Sequence, residues 1–390
     1  MSTTRRSVSA GLLGLSAFPG CARAEPLARP RLVLVILRGA MDGLHALAPV
    51  GDPDYARWRP DIALGGERPG ISFGSGLVLH PALRPLMELR KAGELVFLPG
   101  VGSSYRGRSH FEAQNVLETA AGRPYDLRTG WLSRAVEAMG SNVGAPAIAV
   151  GATVPTVLQG RASVKLLAAS RLPDAREDYL LRLESIYRND PLFHEAFSEA
   201  QSEDTELRAA SDSLTNRTPA RETASTVAKL MATATGPQVA VLEMGGWDTH
   251  SGQLRRLNRQ FGELADIIVG LRSGLGAAWS STAVLVVSEF GRTVRQNGSG
   301  GTDHGTGGLA MLAGGALKTS ATASKGVIGT WPDLAEANLF EGRDVRITTP
   351  LESVLLSIAL GHLSLTEAEV RGKIFPAYRA YMPLENMFGM

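Results

Sequence analysis

Three polar clusters hold the residue types from which metal sites are built, and each adjoins an apolar run. QVAVLEMGG at 238–246 opens onto Trp247-Asp248-Thr249-His250, and TAVLVVSEF at 282–290 delivers Glu289-Phe290-Gly291-Arg292. A glycine-rich loop, GSGGTDHGTGG, presents Thr302-Asp303-His304-Gly305 just ahead of the run LAMLAGG. Carboxylates and imidazoles are ligands for divalent ions. In open α/β sheets, ligands bind beyond the carboxyl ends of the strands. The chemistry indicated is metal-dependent hydrolysis, with the substrate left open.

Each residue has a sharp reading and a plain one. Asp248 and His250 are two apart, so an extended segment points both to one face and offers an oxygen and a nitrogen; the plain reading is a solvated loop with Asp248 capping the next helix. Asp303-His304 lies in a loop with little capacity to pack a core, where one residue can ligate while the other orients it. Glu289 directly follows a strand, and Arg292 either neutralises it or holds an anionic substrate oxygen. Asp42 sits in the turn RGAMDG after the first apolar run, as a further ligand or as a turn-forming aspartate. Ser109 is a candidate nucleophile at a helix amino end, where backbone amides favour anions; it also suits an ordinary N-cap. Arg106, Arg108 and His110 beside it make an anion-binding loop. His80, His194 and His362 read as structural, and His45 lies close enough to Asp42 to support it.

The elements that must position these groups follow from pattern. Arg31–Leu37, Leu95–Leu98 and Ala147–Val150 are short apolar runs typical of buried parallel strands, and further strands begin at Gln238, Thr282 and Leu309. His80-Pro81 opens a helix through Lys91 that Gly93 ends, and a loop from Pro99 to Arg108 leads into a helix from Ser109. Another helix spans Gln253–Leu271, and the tail from Asp344 to Leu363 reads as a packing helix. Between about Ser163 and Thr235 the sequence becomes charged and helix-favouring, which reads as a helical insertion or cap. The alternation predicts an α/β fold, a mostly parallel sheet with helices on both faces.

Composition narrows the class. The chain has 390 residues, a formal net charge of +2 and one cysteine. It shows no basic stripe with interleaved aromatics, so nucleic acid is not an expected partner. Thr4-Arg5-Arg6-Ser7, an apolar stretch from Val8 to Phe18 and Ala22-Arg23-Ala24 form a twin-arginine-type export signal over residues 1–24. Twin-arginine export machinery is then a partner, the location periplasmic or secreted, and residues 25–390 a single domain. Lipid anchoring at Cys21 is disfavoured because Phe18-Pro19 is a poor lead-in to the cleavage site. The mature chain is not expected to span a membrane.

RGAMDG, HPALRPL, RSHFEAQ, GGWDTH, SEFGRT and GTDHGT resemble the domain of unknown function 1501 family, which is grouped with the alkaline phosphatase and sulfatase superfamily. The resemblance runs through most of the mature chain and is weakest from Ser163 to Thr235. It implies an alkaline-phosphatase-like fold, Asp42 as a metal-binding aspartate, Ser109 as nucleophile, and Asp248, His250 and His304 as metal ligands. The superfamily's Asp-His-Gly signature matches Asp303-His304-Gly305 by spelling, but by strand order its place belongs to Glu289-Phe290-Gly291. Strand order makes Glu289 a ligand and puts Phe290 where a histidine ligand is expected. One or two divalent ions follow, drawn from zinc, manganese and magnesium, with a carboxylate-rich site favouring the last two.

The function expected is therefore an exported hydrolase acting on a small anionic ester, phosphate or sulfate. Arg108, His110, Arg292 and Asp303 would bind substrate or orient ligands. The alternative is a binding protein that keeps the fold without turnover, a reading that Phe290 favours. A role on polysaccharides has no aromatic platform in the sequence to support it.

Overall fold

Six consecutive apolar residues after Arg31 give β1 (Arg31–Leu37) two apolar faces, and both are buried. The computed structural model describes residues 29–140, 146–168, 177–191, 193–194, 197–198, 205–215, 218–317, 326–385 and 387–388. The expected export signal, with Arg5, Arg6 and Cys21, lies outside these residues. β2 (Leu47–Ala48), β3 (Ile71–Gly74) and β4 (Leu77–Leu79) form a small antiparallel sheet ordered β2-β4-β3.

The main sheet has eight strands. β5 (Leu95–Gly102), β6 (Ala147–Val150), β7 (Val164–Leu167) and β8 (Val239–Met244) join β1 in it. β9 (Thr282–Ser288), β10 (Gly308–Ala313) and β11 (Thr349–Pro350) complete the order β11-β5-β10-β9-β1-β8-β6-β7. All pairings are parallel except those of β10, which runs antiparallel to β5 and β9. That single reversal has a functional consequence. The loop before β10 emerges at the rim where β1, β5, β8 and β9 end.

Alternate residues of each central strand enter two cores. Leu32, Leu34 and Ile36 face one, with Trp131 and Leu132 of the helix Trp131–Met139 and Val354 and Leu355 of Leu351–Ser357. Val33, Val35 and Leu37 face the other, with the helices Ala220–Ala232 and Gln253–Leu275. A mostly parallel sheet buried on both faces is what continuous apolar runs produce.

Several boundaries differ from the sequence reading for identifiable reasons. β5 continues through Pro99 to Gly102, because the register shift between Gly308 and Leu309 on β10 accommodates a residue without an N–H. Pro81–Leu86 is a tight 3-10 turn with Pro85 inside it, and only Met87–Lys91 is α-helical. The segment expected as one tail helix begins with β11, and its helix starts at Leu351, after Pro350. Of the insertion expected at 163–235, Val164–Leu167 is the edge strand β7, and Ala220–Ala232 packs against Gln253–Leu275. Helices Glu177–Tyr187 and Thr205–Ser213 lie between these two elements.

One buried cation ties the rim together. The Arg292 side chain is fully buried and donates from Nε to Ala40 O at 2.8 Å and from Nη1 to Thr302 O at 2.9 Å. Its Nη2 reaches Gly39 O at 2.8 Å, Trp247 O at 3.1 Å and the Asp248 carboxylate. These partners belong to the loops after β1 and β8 and before β10. Arg292→Met strips four carbonyls of their donor, and each buried polar group left unpaired costs about 1–3 kcal/mol. We expect urea unfolding to show a loss of at least about 3 kcal/mol; an unchanged midpoint would show that the rim holds without it.

Candidate functional site

Three strand ends and one helix deliver the side chains. After β9, residues 291–293 turn back along 303–306: Gly291 N–H donates to Thr306 O at 2.9 Å, Gly305 N–H to Gly291 O at 2.8 Å, and Thr293 N–H to Asp303 O at 2.9 Å. A Cβ on Gly291 would lie 1.9 Å from Gly307 O, so only glycine permits this approach. The pairing fixes His304 beside the rim. The helix His110–Thr119 after β5 brings His110 and Gln114 to the same place from one face, four residues apart.

His304 Nε2 lies 3.0 Å from His110 Nε2, 3.0 Å from His250 Nε2 and 3.3 Å from Asp248 Oδ1. His250 Nε2 is itself 3.0 Å from Asp248 Oδ1. His110, Asp248 and His304 each offer a ligand atom, all within 4.8 Å of one another. The opposite nitrogens determine what these atoms are. His304 Nδ1 is 3.1 Å from Arg108 O, a carbonyl, which only an N–H can approach favourably. His110 Nδ1 is 2.7 Å from Glu289 Oε1, and His250 Nδ1 is 3.0 Å from Asp303 Oδ1. In the neutral form of each ring an Nδ1 proton directed at these oxygens leaves the Nε2 lone pair facing the cluster. The Nε2 atoms of His110 and His304 and an Asp248 carboxylate oxygen thus form a donor set that could hold a metal ion, with His250 Nε2 beside His304 and Asp248.

Asp248 pairs with Arg292, while Arg108 pairs with Glu341 and Asp344 and Arg343 with Asp344. Burial works against the Glu289 carboxylate, yet hydrogen bonds from His110, Gln114 and Gly39 hold its pKa below the ordinary range. Burial likewise opposes Asp248, and Arg292 outweighs it and lowers its pKa. The hydrogen bond to Glu289 raises the pKa of His110 against burial, while burial and the neighbouring His110 lower that of His304. Asp303 is lowered first by Asn297 and then, against burial, by His250.

Other residues singled out in the sequence are placed elsewhere or differently. Asp42 is buried, and its Oδ2 accepts from Arg59 Nη1 at 2.7 Å and Gln253 Nε2 at 2.6 Å. Arg59 in turn donates to Val294 O and Thr293 O, so Asp42 supports the rim from beneath. Glu289 makes its contacts to His110, Gly39, Gln114 and Ser288 rather than within the converging group. The Arg108 side chain is tethered to Asp344 at 2.6 Å, and its left-handed backbone, φ +56°, aims its carbonyl at His304. Phe290 is buried with its ring 4.9 Å from that of His110 and 5.3 Å from that of His304, an apolar wall for both imidazoles. Ser109 occupies the N-cap position but makes no side-chain cap; it contacts the Tyr105 hydroxyl instead. His110 entering the converging group was not legible, although RSHFEAQ carried the signal of a histidine and a glutamine on one helix face.

A family model described as "Protein of unknown function (DUF1501)" matches residues 96–369. The chain belongs to this family. No curated protein matches it. Among solved structures it is similar to Ps i-CgsB in complex with k-i-k-neocarrahexaose, at 10% identity and a TM-score of 0.39 over 91% of this chain and 77% of that one. It is also similar to the phosphonate monoester hydrolase of Agrobacterium radiobacter, at 14% identity and a TM-score of 0.36 over 87% and 74%. A third is the soluble domain of lipooligosaccharide phosphoethanolamine transferase A from Neisseria meningitidis, at 13% identity and a TM-score of 0.32 over 74% and 77%. Among the described residues no helix is long and apolar enough to cross a membrane.

The proton on His110 competes with any metal, so metal affinity rises with pH until that ring is neutral. Glu289→Gln removes the bond that raises the His110 pKa, so the midpoint of affinity against pH moves to lower pH. Losing a partner that orients a ligand also lowers the plateau affinity by about 10–100-fold. Calorimetric zinc titration across pH checks both; an unmoved midpoint would contradict the link between Glu289 and His110.

Proposed function

We propose that this chain is an exported, metal-dependent hydrolase of phosphate or sulfate esters. The observation that carries the reading is the convergence of His110, His304 and Asp248 at a strand-end rim, with His250 Nε2 3.0 Å from His304 Nε2 and from Asp248 Oδ1. We assign His110, His250, His304 and Asp248 to a single divalent ion. Glu289, Asp303 and the Arg108 carbonyl orient the three rings, as second partners of metal-bound histidines do. A donor set of imidazoles with one carboxylate suits zinc, in place of the manganese or magnesium that a carboxylate-rich set would take. A second ion would need Asp42 and Glu289: Asp42 Oδ2 already accepts from Arg59 and Gln253, Glu289 Oε1 is engaged by His110, Gly39 and Gln114, and Glu289 Oε2 by Ser288.

When bound, such an ion polarises an ester oxygen and compensates developing charge. The chain's own groups do the remaining work. Ser109 is the proposed nucleophile, one residue from His110 at the amino end of a ten-residue helix. The free amides of that first turn favour an anionic group beside the Ser109 hydroxyl. Tyr105, whose hydroxyl contacts Ser109 and whose pKa is raised by burial and by Glu112, holds the serine hydroxyl in place. Phe290 excludes water from one side of the His110 and His304 rings. Asp42, expected from the sequence as a ligand, positions the rim through Arg59 and Gln253. The basic, twin-arginine-type leader supports export to the periplasm, with the substrate a small anionic ester.

Purified mature protein should hydrolyse p-nitrophenyl phosphate or p-nitrophenyl sulfate, lose activity in EDTA and regain it with zinc. Ser109→Ala should fall to background with metal content unchanged. Full activity in that variant would exclude Ser109. Metal uptake with no turnover on either ester would favour a binding protein.

A further inference from the structure

A groove of about 340 Å³ adjoins the converging histidines, and Asp303 belongs to both. Asp303 contacts His250 Nδ1 at 3.0 Å, so one imidazole ring separates the groove wall from the converging Nε2 atoms. Other walls are Trp58, Arg295, Gln296, Asn297 and Arg343. Asn297 Nδ2 donates to His250 O at 2.9 Å and to Asp303 Oδ1 at 3.1 Å, which fixes that wall to the rim. Trp58 is buried and anchored by its Nε1–H to Leu334 O at 2.8 Å.

The charge of this groove is the informative feature. The Arg295 guanidinium lies 4.0 Å from the centroid of the Trp58 ring. Stacking on an aromatic face holds a guanidinium in place without satisfying its N–H donors. Arg295 is exposed and has no carboxylate partner among the described residues. Across the groove Arg343 donates to His304 O at 2.7 Å and pairs through Nε with Asp344 at 3.1 Å, with 43% of its side chain exposed. The acid on this surface, Asp303, already faces His250 and Asn297. The groove thus offers the Arg295 guanidinium, held by stacking and without a carboxylate partner among the described residues, beside an Arg343 already engaged by Asp344 and His304 O.

We infer that this groove is a second anion subsite, and that the substrates are esters carrying two anionic groups. One group is the ester that meets the metal and Ser109; the other is a phosphate, sulfate or carboxylate held by Arg295 and Arg343. This substrate class rests on the hydrolase reading, whereas the anion subsite does not.

Calorimetry with the full mature chain separates the two. In EDTA-treated protein, inorganic phosphate should bind wild type and His304→Ala alike, and Arg295→Ala at least tenfold more weakly. Absence of binding to wild type, or equal binding to Arg295→Ala, overturns the subsite. After incubation with zinc, propane-1,3-diol bisphosphate should bind wild type at least tenfold more tightly than propyl phosphate, and Arg295→Ala should remove that difference. Phosphate binding in the groove with no advantage for the bisphosphate in zinc-loaded protein overturns the substrate class. If zinc is not taken up at all, the hydrolase reading fails while the phosphate titration still decides the subsite.

Discussion

The site depends on one guanidinium beneath it. Arg292 donates to carbonyls from the loops after β1 and β8 and before β10, three chain segments far apart in sequence. Burying that charge without partners would be costly, so the loops must converge to satisfy it. Its Nη2 also fixes the Asp248 carboxylate. Arg59 repeats the device one layer deeper, joining Asp42 to the carbonyls of Thr293 and Val294. Two buried arginines thus set the positions of groups that the sheet alone would leave on independent loops.

Above that platform, proton placement decides the chemistry. A neutral imidazole that donates from Nδ1 to oxygen has a lone pair at Nε2, and His110, His250 and His304 each have an oxygen beside Nδ1. The oxygen partners differ in kind: a buried carboxylate at Glu289, an exposed one at Asp303 and a backbone carbonyl at Arg108. They have the same effect on the tautomer. The left-handed backbone at Arg108 is one place where the chain adopts an unfavourable conformation, and there it turns a carbonyl onto His304.

Much of the architecture is legible in the sequence because continuous apolar runs closed by glycine have few other fates. β1 and β6 begin and end where those runs do, and the presence of Asp248, His250 and His304 at one rim follows from strand ends. Three things are not legible. The direction of β10 depends on pairing with β5, more than 200 residues away in sequence, yet it is what brings His304 to the correct end. The engagement of Asp42 by Arg59 is a packing outcome that turn chemistry at RGAMDG does not reveal. The placement of Glu289 behind His110 rests on a helix that follows β5 rather than β9, so strand order alone assigns the carboxylate to the inner position.

The proposed divalent ion is held by His110, His304 and Asp248 at the rim, with His250 beside them. The most direct measurement is the metal content of purified mature protein after zinc incubation and desalting, compared with His304→Ala. About one zinc per chain is expected in wild type, as for a single-ion site of this donor type, and essentially none in the variant. No retained metal in wild type, or the same amount in His304→Ala, would contradict it.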